Sequence, residues 1–264
     1  MTVALSNDVK IAYEIRGSGE PLVLVHGLAY DRAGWGRLPD LLAEHFSVVL
    51  LDNRGVGESD APPGPYSVAQ MADDVRAVLD DCGLATSHLF GVSLGGYIAQ
   101  ELTLTTPERV EKLVLCSTAI GGPRAHPMPA ETQAVFAKYP TMEREAALRM
   151  FVENSLGERG VRDLPDLVEE IYAYRLEHAP STEAWIAQAT AGATFVDDDR
   201  VGAIDRPTLV VHGGNDVVVD PRNAELLGEL IPNARVAIVP DRGHLLVWED
   251  SEAVADLMIE FLQP

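Results

Sequence analysis

Gly91-Val92-Ser93-Leu94-Gly95 sets a serine between two glycines, directly after the apolar run Leu89–Val92 and before a helical pattern that opens at Tyr97. A strand, a sharp turn and a helix in that order stand a serine hydroxyl clear of the end of a sheet. Gly91 and Gly95 suit such a turn because side chains there would collide with the neighbouring strand and helix, and Gly96 extends the close packing. The positive end of the following helix favours negative charge developing beside Ser93. Such a serine is a candidate nucleophile. It needs a base to take its proton and an acid to orient that base.

The best-placed base is His244, in Pro240-Asp241-Arg242-Gly243-His244. It follows the run Val236–Val239, on a loop at a strand's C-terminal end, where catalytic groups gather in open α/β sheets. Of the six other histidines, His26 is expected to shape a turn and His212 stands at a strand end. His45, His88, His126 and His178 read as surface or structural residues. The acid is expected to be Asp216, in Gly213-Gly214-Asn215-Asp216 after the run Leu209–Val211, accepting the His244 ring N–H. Asp220 precedes Pro221 and makes a better helix N-cap, and Asp241 is too close in sequence to His244 to be a comfortable partner.

Two further motifs follow strands: His26-Gly27 after Leu22–Val25, and Asp52-Asn53-Arg54-Gly55-Val56-Gly57-Glu58-Ser59 after Val48–Leu51. Together with the serine motif and the order Ser93, Asp216, His244, they make the chain resemble the α/β-hydrolase superfamily over essentially its whole length. The resemblance implies a mostly parallel eight-stranded sheet with helices on both faces and an inserted helical cap. It also implies an oxyanion hole from the backbone amides of Leu94 and, by the H-G-x pattern, Leu28. Trp35 is close enough in sequence to wall the pocket, and Arg54 is expected to ion-pair with a carboxylate. Hydrolase-fold dehalogenases and epoxide hydrolases resemble the chain but use Asp where it has Ser93, so serine points to acyl transfer. Pro62–Tyr66, Pro107–Cys116 and the cap length look like 3-oxoadipate enol-lactonases, whereas His26-Gly27 looks more like small carboxylesterases. The expectation is hydrolysis of a small to medium carboxylic ester through an acyl-enzyme, with no cofactor and no metal. Lactone hydrolysis is the first alternative. C–C bond hydrolases of dienoic acids and perhydrolases share the same triad, and some proteins of this fold are small-molecule receptors.

These residues must be positioned by a scaffold, and the apolar pattern supplies one. Leu22–Val25, Val48–Leu51, Leu89–Val92, Leu113–Cys116, Leu209–Val211 and Val236–Val239 are nearly continuous apolar runs, as in strands buried on both faces of a parallel sheet. Val3–Leu5 and Ile11–Ile15 read as an edge hairpin. Ser67 caps a helix carrying Met71, Val75, Val78 and Leu79, and Cys82-Gly83 ends it. A second helix carries Ile98, Leu102 and Thr105, a third starts at Pro221, and the last spans about Ser251 to Leu262. From about Gly121 to Asp199 no strand signal appears. Helical patterns lie near Glu131–Lys138, Met142–Asn154, Leu164–Glu177 and Thr182–Ala193. The division expected is a core of residues 1–120 and 207–264 with a cap of residues 121–206. Phe136, Phe151, Tyr172, Trp185 and Phe195 are cap aromatics that could line a pocket, with Phe136 and Trp185 the foremost candidates.

Composition narrows the partners. The 264 residues carry a formal charge of −21, which repels phosphate backbones and anionic lipid heads, so neither nucleic acid nor a membrane surface is an expected partner. The expected partner is a small ester or lactone. Asp52–Ser59 lacks the lysine of a phosphate loop, no His/Cys cluster has zinc spacing, and Asp197-Asp198-Asp199 reads as a solvated linker. Cys82 and Cys116 both read as buried thiols. No signal-peptide pattern opens the chain and no apolar run is long enough to span a bilayer, so a cytoplasmic location is expected.

Overall fold

The computed structural model describes residues 2–263. Its sheet has eight strands in the order β1-β2-β4-β3-β5-β6-β7-β8. They are β1 (Thr2–Ser6), β2 (Val9–Gly17), β3 (Glu20–Val25), β4 (Phe46–Leu51), β5 (Ser87–Val92), β6 (Val110–Cys116), β7 (Thr208–Gly213) and β8 (Ala234–Val239). β1 and β2 form the antiparallel hairpin read from the sequence, and β2 also runs antiparallel to β4. Every pairing from β4 to β8 is parallel. The strand C-termini therefore open on one rim, where loops collect.

Alternation along each central strand feeds two cores. In β3, Val23 and Val25 pack with α2 (Val68–Asp81) and α3 (Leu94–Thr105), while Leu22 and Leu24 pack with α1 (Leu38–Ala43) and α10 (Ser251–Leu262). Helices thus cover both faces, which is why the central strands read as continuous apolar runs. Ser67 caps α2 in a full capping box with Gln70. β8 departs from the expected two-sided burial. It is the edge strand, and Val236 and Ile238 are each 40% exposed. The six-residue α1 and the four-residue α9 (Leu246–Glu249) are too short to leave a periodic signal.

Between β6 and β7 lies the helical cap: α4 (Ala130–Lys138), α5 (Arg144–Asp163), α6 (Pro165–His178) and α7 (Thr182–Thr194). α5 runs past its expected end at Asn154 because it continues beyond a kink at Gly157, whose φ of 67° is open to glycine. α8 (Arg222–Leu230) follows Pro221, which stands at the cap position rather than inside the helix. The acidic run is not a solvated linker. Asp197 and Asp198 are buried, their amides donate to the Gly121 carbonyl, and Asp197 Oδ1 accepts from Gly121 N at 2.6 Å. That clasp ties the two ends of the cap together, and burial pushes the Asp197 carboxyl up to about 6. Cys116 is buried, but Cys82 is only half-buried because it terminates α2 at the surface. No helix among the described residues is long and apolar enough to cross a membrane.

Candidate active site

Ser93 sits at the tip of β5 with φ 54° and ψ −119°, a conformation that L-residues rarely adopt. Hard contacts impose it. A Cβ on Gly91 would lie 2.2 Å from the Gly95 carbonyl oxygen, and one on Gly95 would lie 2.0 Å from that of Val25. Hydrogen bonds then pin the turn: Ser93 N donates to Cys116 O at 2.9 Å, and the Thr118 hydroxyl donates to Ser93 O at 2.8 Å. The serine hydroxyl is left facing the rim, at the N-terminus of α3.

The structure brings the three sequence candidates together. Ser93 Oγ lies 3.1 Å from His244 Nε2, and His244 Nδ1 lies 2.8 Å from Asp216 Oδ2. The histidine loop is held from the cap, since His244 N donates to the Ser155 carbonyl of α5. It is also held from α9, where Glu249 accepts from Gly243 N at 2.8 Å. Asp216 is buried, and its Oδ1 accepts from the amides of Val218 and Val219. Burial alone would raise its pKa. Attraction to His244 and hydrogen bonding to His212 and His244 prevail, and the carboxyl titrates well below the usual range. His212 Nε2, 3.1 Å from Asp216 Oδ2, is a neighbour that the sequence placed only at a strand end. Asp220 turns to Arg222, accepting from its amide and guanidinium, and is not the N-cap expected of it, since Pro221 holds the cap position of α8.

His26 shapes the loop after β3. Its Nδ1 accepts from Gly27 N at 2.7 Å and its Nε2 donates to Gly34 O at 2.8 Å. Burial keeps the ring neutral by pulling its pKa down to about 3. The loop lies against the serine turn, because a Cβ at Gly27 would stand 3.0 Å from Ser93 Cβ. Among the described residues, the amides of Leu28 and Leu94 have no hydrogen-bond partner within the chain. Both residues line the space above Ser93.

That space has two lobes meeting at Leu28, Ser93, Phe136 and Val218. The lobe on the His244 side, the smaller of the two, is walled by Tyr30, Phe151, Leu245 and Val247. The larger lobe, on the α3 side, is walled by Leu94, Tyr97, Met128, Gln188 and Ala189. Among the described residues, no Lys, Arg, Asp or Glu lines either lobe. Phe136 and Phe151 therefore face the cavity. Trp185 does not: it stacks on Tyr139 at 4.5 Å and backs Phe136 from behind. Trp35 does not either. It is fully buried beneath the loop, between His26 and Phe90, because sequence proximity to the loop put it on the core side. Tyr172 packs under Arg149, and Phe195 packs on Tyr97. Arg54 pairs with Asp74 through two bonds of 2.6 and 2.7 Å.

An alpha/beta hydrolase fold family model matches residues 20–251. The chain belongs to the α/β-hydrolase family. A 2-hydroxy-6-oxononadienedioate/2-hydroxy-6-oxononatrienedioate hydrolase of Burkholderia vietnamiensis is 32% identical, over 97% of this chain and 92% of its own length. A thermophilic esterase from Thermogutta terrifontis is 30% identical with a TM-score of 0.85, covering 99% of this chain and 97% of its own. The enol-lactonase from Burkholderia xenovorans LB400 is 25% identical with a TM-score of 0.87, covering 99% of each chain. The eight-stranded, mostly parallel sheet with its inserted helical cap is this family's fold. The protein is a hydrolase of the type that embraces esterases, lactonases and C–C bond hydrolases.

Proposed function

We propose that the protein hydrolyses an uncharged carboxylic ester through a serine acyl-enzyme, with Ser93 as nucleophile, His244 as base and then acid, and Asp216 as the orienting carboxylate. The observation that carries this reading is the chain of contacts from Ser93 Oγ through His244 to Asp216, 3.1 and 2.8 Å long, beneath a cavity faced by two free amides. Ser93 Oγ attacks the carbonyl carbon as its proton passes to His244 Nε2. The tetrahedral oxygen accepts from Leu28 N–H and Leu94 N–H. His244 returns the proton to the departing alkoxide, then draws one from water as that water attacks the acyl-enzyme, and gives it to Ser93 Oγ as the carboxylic acid leaves. The steps need no cofactor or metal.

The lobes divide the substrate. The leaving oxygen must sit beside His244 Nε2 to receive its proton, so the smaller lobe, which His244 lines, takes the alcohol. The larger lobe beyond Leu94 takes the acyl chain. Walls free of Lys and Arg favour neutral groups at both ends, which supports an ester over the carboxylate-bearing 3-oxoadipate enol-lactone or a dienedioate. The setting proposed is cytoplasmic, with a small ester as the substrate and neither nucleic acid nor a membrane as partner.

Specificity constants for a butyrate ester and for 3-oxoadipate enol-lactone, measured with EDTA present, test the proposal. The ester should be preferred. An ester value below the lactone value by more than about 100-fold, roughly 2.7 kcal/mol in transition-state binding, would replace the esterase reading with the lactonase one. Saturable binding of a small ligand without turnover of either would move the protein to the receptors.

A further inference from the structure

Leu28 donates to the oxyanion in the reading above, and its turn is closed locally by one long bond, from Tyr30 N to Gly27 O at 3.4 Å. Ala29 is fully buried and has φ 66°, a left-handed conformation that alanine adopts at a cost. Both of its backbone groups are held by side chains of the cap. Gln188 of α7 accepts from Ala29 N at 2.8 Å, and Arg175 of α6 donates through Nη1 to Ala29 O. These partners lie 159 and 146 positions away in sequence. Gln188 also donates to Arg54 O at 2.8 Å, so it bridges the loops after β3 and β4.

Arg175 is the more telling of the two. Its side chain is fully buried, while its Nε and Nη2 have no hydrogen-bond partner. The guanidinium lies over the Tyr30 ring, 4.5 Å from the centroid. A buried cation with one direct hydrogen bond and one aromatic face is an expensive arrangement. It does not line either lobe of the cavity. The group it does hold is the carbonyl of Ala29.

We propose that Arg175 and Gln188 are positioning residues that act through Ala29 to aim the Leu28 amide, so that the oxyanion hole is complete only when cap helices α6 and α7 are seated on the core. The Leu28 peptide is bracketed. On its N-terminal side Gly27 N is fixed locally by His26; on its C-terminal side the N–H and C=O of Ala29 are bonded to the cap, and the turn is closed locally by the long Tyr30 N to Gly27 O bond. Freed of the cap, only the long Tyr30 N to Gly27 O bond would oppose relaxation of Ala29 toward negative φ, a relaxation that swings the Leu28 N–H off the oxyanion. This rests on the serine-hydrolase reading, so the Ser93→Ala protein is measured alongside.

The experiment compares wild type with Gln188→Met, the milder Gln188→Asn, Arg175→Met and the double Gln188→Met/Arg175→Met variant. The readouts are kcat and KM for a butyrate ester and the rate of labelling by a fluorophosphonate. Each single variant that folds should lose roughly tenfold to a hundredfold in kcat, somewhat less than full removal of an oxyanion donor, with KM within about twofold. Labelling should slow in parallel. The double variant should lose little more than the worse single one, because both side chains hold the same residue. A kcat within twofold of wild type overturns the proposal. A loss confined to KM would make Gln188 a substrate contact, and fully additive losses would mean two independent struts. If no variant folds, the residues support the cap and the positioning claim fails. Undiminished turnover by Ser93→Ala sinks the underlying mechanism instead, and is told apart by that variant alone.

Discussion

The two amides assigned to the oxyanion hole are built by different means. That of Leu94 is set by the core. Gly91 and Gly95 allow backbone to meet backbone at distances no side chain would permit, and Ser93 N is tied to the end of β6. That of Leu28 sits in a loop whose far side is held by Gln188 and Arg175, from helices that enter the chain well over a hundred residues later. The first half is a property of a short stretch of sequence and of strand pairing. The second combines a locally closed turn with the way cap and core dock. The turn at Ser93 is set within the core, while the backbone of Ala29 and part of the cavity wall are held by the cap.

The largest expected effects belong to the core-built half. Ser93→Ala should abolish fluorophosphonate labelling and leave only binding and oxyanion catalysis, roughly 10³–10⁴ over water. Labelling of that variant at the wild-type site would remove Ser93 from the mechanism. Asp216→Asn should fold and lose about 10⁴ in kcat, since an amide in place of the carboxylate favours the wrong His244 tautomer. Asp220→Asn should cost little, because the side chain faces Arg222 and not His244. If Asp220→Asn proved the more damaging, the acid would be misassigned.

The difference between the halves also explains what the sequence could show. The serine turn, the order Ser93–Asp216–His244, the edge hairpin and the doubly covered strands were legible because each rests on a local pattern or on periodicity. Gln188 and Arg175 were not. A glutamine and an arginine in cap helices look like ordinary polar residues until the helices are docked. His212 gave only a strand-end position, and its approach to Asp216 depends on the turn at Gly213–Asp216. Trp35 and Trp185 were misread as cavity walls for the opposite reason: a large aromatic near a site is equally good at filling the layer behind it, and both do so. The Asp197–Asp198 clasp was hidden because acidic runs are usually solvated, whereas this one caps the Gly121 peptide.

An intermediate effect should come from the cap-built wall. Gly192 of α7 lines the larger lobe, and a Cβ there would lie 3.4 Å from the Leu94 side chain. Gly192→Leu should therefore fill acyl space without touching the triad. Octanoate esters should lose roughly tenfold to a hundredfold in kcat/KM while acetate esters change little, each excluded methylene being worth about 1–3 kcal/mol. Equal losses for both acyl lengths would mean that the acyl chain lies in the other lobe. A loss of activity confined to esters of long alcohols would say the same.

The smallest effect is one of stability, and it returns to a local support. Glu249 holds Gly243 N, six positions away, so the His244 loop is braced from within the core rather than from the cap alone. The carboxyl is largely buried, and its second oxygen has no partner. Burial, opposed by the Gly243 N–H and Arg242 and reinforced by Asp216, raises its pKa from 4.5 to about 7. Between those two values the folded protein binds a proton that the unfolded chain has released. Stability from this group therefore falls as pH rises from 4.5 toward 7 and stays low above it. Glu249→Gln keeps an oxygen for Gly243 N and removes the charge. Denaturant unfolding at a series of pH values should show variant and wild type nearly matched at pH 4, with the variant ahead by about 1–3 kcal/mol at pH 8. A difference that is flat across pH would mean that the buried carboxyl does not titrate in this window. A variant weaker at pH 8 would mean that the charged Glu249 braces the His244 loop more strongly than its burial opposes it.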